Sequence, residues 1–267
     1  MSHVYTVTFH PPADGSWLAS ARHHDRRVFL AEMAVDSVSG DDPAVVALPA
    51  GFLRASNLEA RDRLAETMLQ VSRRAQVAVV FGIDVAPEGE WAPLQGADAS
   101  FAYACDAGRR VLWPATQVKA SSKHLPRRPS EPRSVVLAGR QVGIVISSEA
   151  FNAPLKLALK TNPPSMILLL AHSPPSDRWS STMAGWQSIA PTFVVSPMAT
   201  GATREHEPWI FAPPFEWEQD RIAETGDMTI RRYRECCPLC DLLRDQEAME
   251  IELDETRPLR ESVERRD

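Results

Sequence analysis

The chain has 267 residues, of which 44% are hydrophobic, and a formal net charge of −6. This length suits one large domain with a substantial core, and the scattered Lys and Arg residues offer no basic face for a nucleic acid. The longest strongly apolar run, Met166 to Ala171, is too short to cross a membrane, and no basic segment followed by an apolar stretch opens the chain. We therefore expect a cytoplasmic protein with no nucleic-acid or membrane partner.

Strands and helices are predicted along the chain from the spacing of its apolar residues. Runs rich in β-branched residues indicate strands, and apolar residues three or four positions apart indicate helices. The first helix is expected to carry Phe29, Leu30 and Met33 on one side, and the capping box Ser56–Glu59 is expected to begin the second. In chain order the predicted elements are strand 4–9, helix 17–34, strand 44–49, a helix from 56, strand 77–83, hairpins over 100–113 and 134–147, a helix after 148, strand 166–170, helix 178–189, and strands 192–197, 208–214 and 228–233.

The alternation of strands and helices, with two inserted hairpins, predicts one layered α/β domain over residues 1–235. From residue 236 the sequence becomes strongly charged, so residues 236–267 are predicted to form a tail or an appended helix. This part contains the motif CCPLC. Its Cys237 and Cys240 are a weak candidate for a zinc site, because no second ligand pair of similar spacing follows. We expect no cofactor.

Four segments resemble, in the same order, segments of the nitrilase (carbon-nitrogen hydrolase) superfamily. VVALPAGFLRAS (45–56) resembles a strand that ends in Pro-Glu-Gly-Phe, and FAYACDAGRRVLWPATQVK (101–119) resembles a hairpin that leads to a lysine. GRQVGIVISSEAF (139–151) resembles a hairpin that enters the cysteine turn, and FVVSPMATG (193–201) resembles a late strand. The resemblance covers about residues 4–233.

The resemblance implies a nitrilase-like α-β-β-α sandwich, which packs through helices near the nucleophile into a four-layer dimer. It also implies a Glu-Lys-Cys triad, in which the glutamate is the general base, the lysine supports the oxyanion and the cysteine forms the acyl-enzyme. Substrates of the family are small amides, nitriles or carbamoyl compounds. A homodimer, and a small amide-like ligand or a protein partner, are therefore expected.

The two supporting positions of this triad carry other residues here. The glutamate position falls on Ala50, which can neither accept nor donate a proton. The lysine position falls on Gln117, which can donate a hydrogen bond but carries no charge. Lys119 follows two residues later and would keep the same face of a strand, so a displaced lysine is an alternative.

The cysteine position falls on one of two serines. Gly143 and Glu149 set a register that places it on Ser147, whereas Pro154 sets a register that places it on Ser148. Two markers agree on Ser147, which we favour. A serine needs an adjacent base to remove its proton, whereas a cysteine is partly ionised near neutral pH. Either register leaves the site without a thiol.

Two further residues are candidates for this site. Glu149 matches an acidic position that is usually structural in the family. His172 follows the strand 166–170 at its carboxyl end, where the sites of α/β proteins tend to lie. With Lys119 and Ser148, they are the residues we expect to line a pocket.

Three functions follow from these substitutions. The first, which we favour, is a catalytically degenerate nitrilase-fold protein, a pseudoenzyme with a binding, regulatory or structural role and no turnover of amides or nitriles. The second is a divergent amidase-like hydrolase that uses Ser147 as nucleophile, Glu149 or His172 as base and Lys119 near the oxyanion. Its activity would be abolished by Ser147→Ala. The third is a scaffold role centred on the charged tail, which truncation after Tyr233 would test.

Overall fold

Strands and helices alternate in the computed structural model, which describes residues 3–10, 24–40, 43–85, 99–116, 131–172, 177–196 and 217–235. Every sequence range between these lies outside the described residues. The described elements are β1 (His3–Phe9), α1 (His24–Asp36), β2 (Ala44–Ala47), β3 (Leu53–Ala55), α2 (Leu58–Ala75), β4 (Ala78–Val85), β5 (Ala99–Asp106), β6 (Arg109–Thr116), β7 (Ser134–Leu137), β8 (Arg140–Ile146), a 3₁₀ helix (Ser147–Phe151), α3 (Ala153–Thr161), β9 (Met166–Leu170), α4 (Asp177–Gln187), β10 (Thr192–Val195), β11 (Trp217–Glu224) and β12 (Met228–Glu235).

The strands form two sheets. The large sheet has the order β11-β12-β1-β2-β4-β5-β6, with β3 also paired to β4, and the small sheet has the order β10-β9-β8-β7. The centre of each sheet is parallel, since β1, β2 and β4 run together in one sheet and β8, β9 and β10 run together in the other. Parallel strands end at a common edge, so the residues that follow β2, β8 and β9 are brought to the carboxyl edges of the two sheets.

Three apolar clusters separate four layers. The first joins α1 and α2 to the large sheet, through side chains such as Leu30 and Met68. The second lies between the two sheets, and the third joins the small sheet to α3 and α4 around the fully buried Trp186. Successive residues of β4 from Ala78 to Phe81 alternate between the first two clusters, as the pleat of a strand requires. The predicted α-β-β-α sandwich is therefore confirmed.

Both predicted hairpins are present and turn on an Ala-Gly pair. Ala107 and Gly108 have φ values of 48° and 81°, and Ala138 and Gly139 have φ values of 47° and 75°. Two successive residues with positive φ match the turn whose twist suits a two-residue hairpin. Glycine adopts this conformation freely, whereas alanine does so at a steric cost.

Two local predictions for the helices are wrong. Asn57, and not Ser56, caps α2: its side-chain oxygen accepts a hydrogen bond of 2.8 Å from the backbone N–H of Ala60. Phe29 is 58% exposed and does not share the buried side of the helix. It lies along a surface groove between α1 and α2. Leu30 of the same helix is buried, as expected.

Two strands, β3 and β11, were not predicted, and two predicted segments lie outside the described residues. β11 is polar and charged, and as an edge strand it is held by its hairpin with β12 and not by an apolar pattern. The strand predicted at 208–214 and the segment 236–267 lie outside the described residues. Within the described part of the chain, no helix is both long and apolar enough to span a membrane.

Candidate functional site

The chain makes a strained turn where β8 ends. Ser147 follows this strand directly and has φ +41°, a left-handed conformation that residues other than glycine rarely adopt. A short 3₁₀ helix follows, and α3 begins only at Ala153, with Asn152 as its cap. Asn152, and not Ser147, therefore caps the helix behind this turn. Strain at a strand-to-helix turn is typical of residues that hydrolases present to a substrate.

Glu149, two residues after Ser147, is held in a buried ion pair. Its Oε1 lies 2.7 Å from Nη2 of Arg133, and the two side chains are 0% and 1% exposed. Its Oε2 accepts a hydrogen bond of 3.0 Å from the backbone N–H of Ile146. The carboxylate thus fixes the shape of the turn, and its partners leave it poorly suited to accept a proton from a substrate.

Arg133 also ties this turn to the end of β6. The Nη2 atom that contacts Glu149 donates a second hydrogen bond, of 2.7 Å, to the carbonyl oxygen of Thr116. Gln117 follows Thr116 directly. Gln117 and Lys119 lie outside the described residues.

Ala50 lies at the carboxyl edge of the large sheet, three residues after β2. Its side chain is 0% exposed and belongs to the apolar cluster between the sheets. The same cluster contains Ile146, which precedes Ser147, and Ala115, two residues before Gln117. A Cβ atom placed on Gly82 of β4 would lie 3.1 Å from the Cβ of Ala50, so Ala50 packs directly against that strand.

His172 connects the edges of the two sheets. It follows β9 of the small sheet, and its Nε2 lies 2.9 Å from Oδ1 of Asp84 and 3.3 Å from Oγ of Ser100. Asp84 and Ser100 are paired residues on β4 and β5 of the large sheet. The side chains of His172 and Asp84 are 12% and 4% exposed. A half-buried imidazole with a fixed carboxylate partner is a common component of catalytic and binding sites.

The turn after Ala50 packs against this histidine. Gly51 has φ +73°, and a Cβ atom there would lie 2.8 Å from Cδ2 of His172 and 3.2 Å from Oδ2 of Asp84. Glycine is required by the conformation and by the close approach. The Gly51 carbonyl accepts a hydrogen bond of 2.8 Å from Nε of Arg54. Burial lowers the pKa of the Arg54 guanidinium, and the negative charge of Asp84 partly opposes this effect.

Comparison with solved structures identifies the fold. No family model matches the chain, and no match is found among curated proteins. A double mutant of the amidase from Nesterenkonia sp. AN1, in complex with acrylamide, matches 94% of this chain and 95% of its own, with 15% identity and a TM-score of 0.53. Another mutant of this amidase, with the acetamide moiety of fluoroacetamide added covalently at the active site cysteine, matches 74% of this chain and 78% of its own, with 15% identity and a TM-score of 0.51.

The chain has the nitrilase fold. A third match, at 16% identity and a TM-score of 0.51, is a mutant of the same amidase described as a member of the nitrilase superfamily. It covers 74% of this chain and 78% of that chain. This confirms the fold that the four sequence segments predicted, and at such low identity it bears on the fold alone.

Within this nitrilase fold, the predicted site residues fall into two groups. Ala50, Ser147, Glu149 and His172 all follow strands that end at the carboxyl edges of the two sheets, and Ser148 lies beside Ser147 in the 3₁₀ helix. Gln117 and Lys119 lie outside the described residues, as do Cys237 and Cys240. No group of three or more His, Cys, Asp or Glu side chains in the described ranges could hold a metal ion.

Sequence reasoning missed the partners of two of these residues. Asp84 stands in the otherwise apolar strand AVVFGIDV, and a charged residue inside a buried strand is a signal for a specific partner. Arg133 gave no such signal, because it lies among the Pro and Arg residues of a loop-like stretch. Both contacts join residues that are separated in the sequence. Asp84 and His172 are 88 positions apart, and Arg133 and Glu149 are 16 apart.

Proposed function

We propose that this protein is a nitrilase-fold pseudoenzyme, which has lost cysteine-hydrolase chemistry and retains the site for binding a small amide-like or acyl ligand. The observation that carries the proposal is the packing of Ala50. The resemblance places the general base at this position, which holds a fully buried methyl group in an apolar cluster. The methyl group of Ala50 cannot accept a proton.

The neighbouring acid does not replace the missing base. Glu149 is committed to Arg133 and to the Ile146 N–H group, and removal of its charge would leave a buried guanidinium without its partner. The nucleophile position holds a serine, which is unreactive without a base. Loss of a nucleophile and its base together lowers the rate of triad hydrolases by about a million-fold.

The test is release of ammonia from small amides and nitriles by the full-length protein. We expect no release above that of Ser147→Ala, and none from Ser147→Cys, because a thiol alone restores neither base nor lysine. An amidase of the nitrilase fold provides the positive control. Turnover by the unaltered protein that Ser147→Ala abolishes would contradict the proposal.

One observation favours a second candidate, a divergent hydrolase with Ser147 as nucleophile. Asp84 holds the ring of His172, as the aspartate of a serine hydrolase triad holds its histidine. Ser147 and His172 follow neighbouring parallel strands, although no hydrogen bond joins them in the described structure. This candidate places Lys119 near the oxyanion. It predicts slow ester or amide hydrolysis that is lost in both Ser147→Ala and His172→Phe.

We also propose a homodimer that packs through the segment after Ser147. Phe151 and Leu157, in the 3₁₀ helix and α3, are 46% and 65% exposed. Leu157→Glu is expected to convert the dimer to a monomer in sedimentation velocity, because a charge would be buried at the interface. Val136→Glu is the matched control, since Val136 is 55% exposed on the edge strand β7. Equal masses for the unaltered protein and Leu157→Glu would contradict this arrangement.

A further inference from the structure

Two edges of the His172 ring are already occupied. The Cδ2 edge lies against Gly51, and Nε2 faces both Asp84 and Ser100. The opposite edge carries Nδ1, which forms no hydrogen bond with any residue in the described ranges. Since Asp84 and Ser100 share one ring nitrogen, Ser100 is not placed as the serine of a triad, which would need the other nitrogen.

The partner of Nε2 decides which nitrogen carries the hydrogen. An oxygen of Asp84 lies 2.9 Å from Nε2, and an aspartate carboxylate can only accept hydrogen bonds. Nε2 of His172 is therefore the donor. In the neutral imidazole the second nitrogen, Nδ1, is then an acceptor with a free lone pair.

This acceptor lies among the segments that form the candidate site. Ile146 and Leu170 are paired residues of β8 and β9, so Ser147 and His172 follow neighbouring strands about 4.8 Å apart. Gly51, which touches the imidazole, directly follows Ala50. The site has thus lost a carboxylate at position 50 and holds a neutral acceptor beside the same turn.

We propose that Nδ1 of His172 determines the ligand specificity of this site, by selecting a ligand that donates a hydrogen bond over one that only accepts. Asp84 sets this preference by keeping the hydrogen on Nε2. The inference rests on the proposed binding function and names its ligand chemistry: a primary amide donates to Nδ1, whereas a carboxylate of the same size presents a negative charge to a lone pair. An ester of that size has no hydrogen to donate.

The test is isothermal titration calorimetry with matched pairs of acetamide and acetate, propionamide and propionate, and butyramide and butyrate. Nitrogen NMR of the histidine-labelled protein first establishes a pH at which the imidazole is neutral. We expect each amide to bind about tenfold more tightly than its acid, the difference that one hydrogen bond of about 1.4 kcal/mol produces. His172→Phe, which keeps a ring but has no acceptor, is expected to lose this preference.

Asp84→Asn tests whether the position of the ring hydrogen on His172 sets the ligand preference, or whether His172 only supports the shape of the site. Where the NH₂ group of the new carboxamide faces Nε2, it donates to this nitrogen and moves the ring hydrogen to Nδ1. The preference should then shift towards the acid, and the NMR spectrum should report protonated Nδ1. Ser100→Ala is the control, because it removes the contact of 3.3 Å and leaves Nδ1 unchanged.

The outcomes distinguish this inference from the function on which it rests. Amides and acids that bind equally well, or a preference that survives His172→Phe, would overturn the inference and leave the binding function standing. A hydrogen found on Nδ1 in the unaltered protein would also overturn it. Absence of binding by every amide and acid would overturn the proposed binding function, and the specificity with it.

Discussion

Arg133→Met is expected to lower the free energy of unfolding by about 3–5 kcal/mol, because it leaves a buried carboxylate without its cation. Glu149 is 0% exposed, and its Oε1 lies 2.7 Å from the guanidinium that would be lost. The carbonyl of Thr116 would lose its donor as well. The measurement is equilibrium unfolding in urea, followed by tryptophan fluorescence.

Two variants show whether burial of the ion pair is the cause. Arg63→Met breaks an ion pair of 2.6 Å with Glu59 on the surface of α2, where the two side chains are 69% and 80% exposed, and it should cost no more than about 0.5 kcal/mol. The double variant Arg133→Met/Glu149→Leu should regain part of the loss, since it removes both buried charges. Recovery stays incomplete because the Ile146 N–H group loses its acceptor. Equal costs for Arg133→Met and Arg63→Met would refute the structural role of the buried pair.

Ala50→Glu is expected to destabilise the protein by at least about 3 kcal/mol, although it restores the residue type that the resemblance implies at this position. The new carboxylate would enter the apolar cluster between the sheets, without a partner and against Gly82. Burial of an unpaired charge and overpacking both oppose folding. Urea unfolding measures the loss.

Ala153→Glu is the matched control for this substitution. Ala153 is exposed at the start of α3, where an added carboxylate is accommodated by solvent and by the helix dipole. Its stability should therefore stay within about 0.5 kcal/mol of the unaltered protein. A stable Ala50→Glu variant would mean that position 50 opens into a pocket. Ala50→Glu/Ser147→Cys should then be assayed for amidase activity.

The layered fold could be predicted from the sequence because its signals are local. The alternation in β1 and the Ala-Gly turns at 107–108 and 138–139 depend on neighbours in the chain, and they predict strands and hairpins without knowledge of the core. β11 escaped prediction because hydrogen bonds to β12 hold it in place, and these leave no apolar pattern. The cap of α2 was misplaced by one residue because Ser56 and Asn57 are both good caps.

The site could be predicted only in part, because residue type does not reveal partners. The ends of β2, β8 and β9 were located, and so were Ala50, Ser147 and His172. The environments of these residues depend on contacts between distant segments. The pairing of His172 with Asp84 joins residues 88 positions apart, and it gives this histidine a carboxylate partner that residue type alone does not reveal.

His172 also joins the two sheets. His172 follows a strand of the small sheet, whereas Asp84, Ser100 and Gly51 belong to the large sheet or to its loop. The side chain of His172 therefore connects the two sheets. An ion pair between Arg140 and Glu235 is a second connection between the sheets, from β8 to β12. A ligand that draws the imidazole away from Asp84 would break the contact at His172 and leave the ion pair between Arg140 and Glu235 in place.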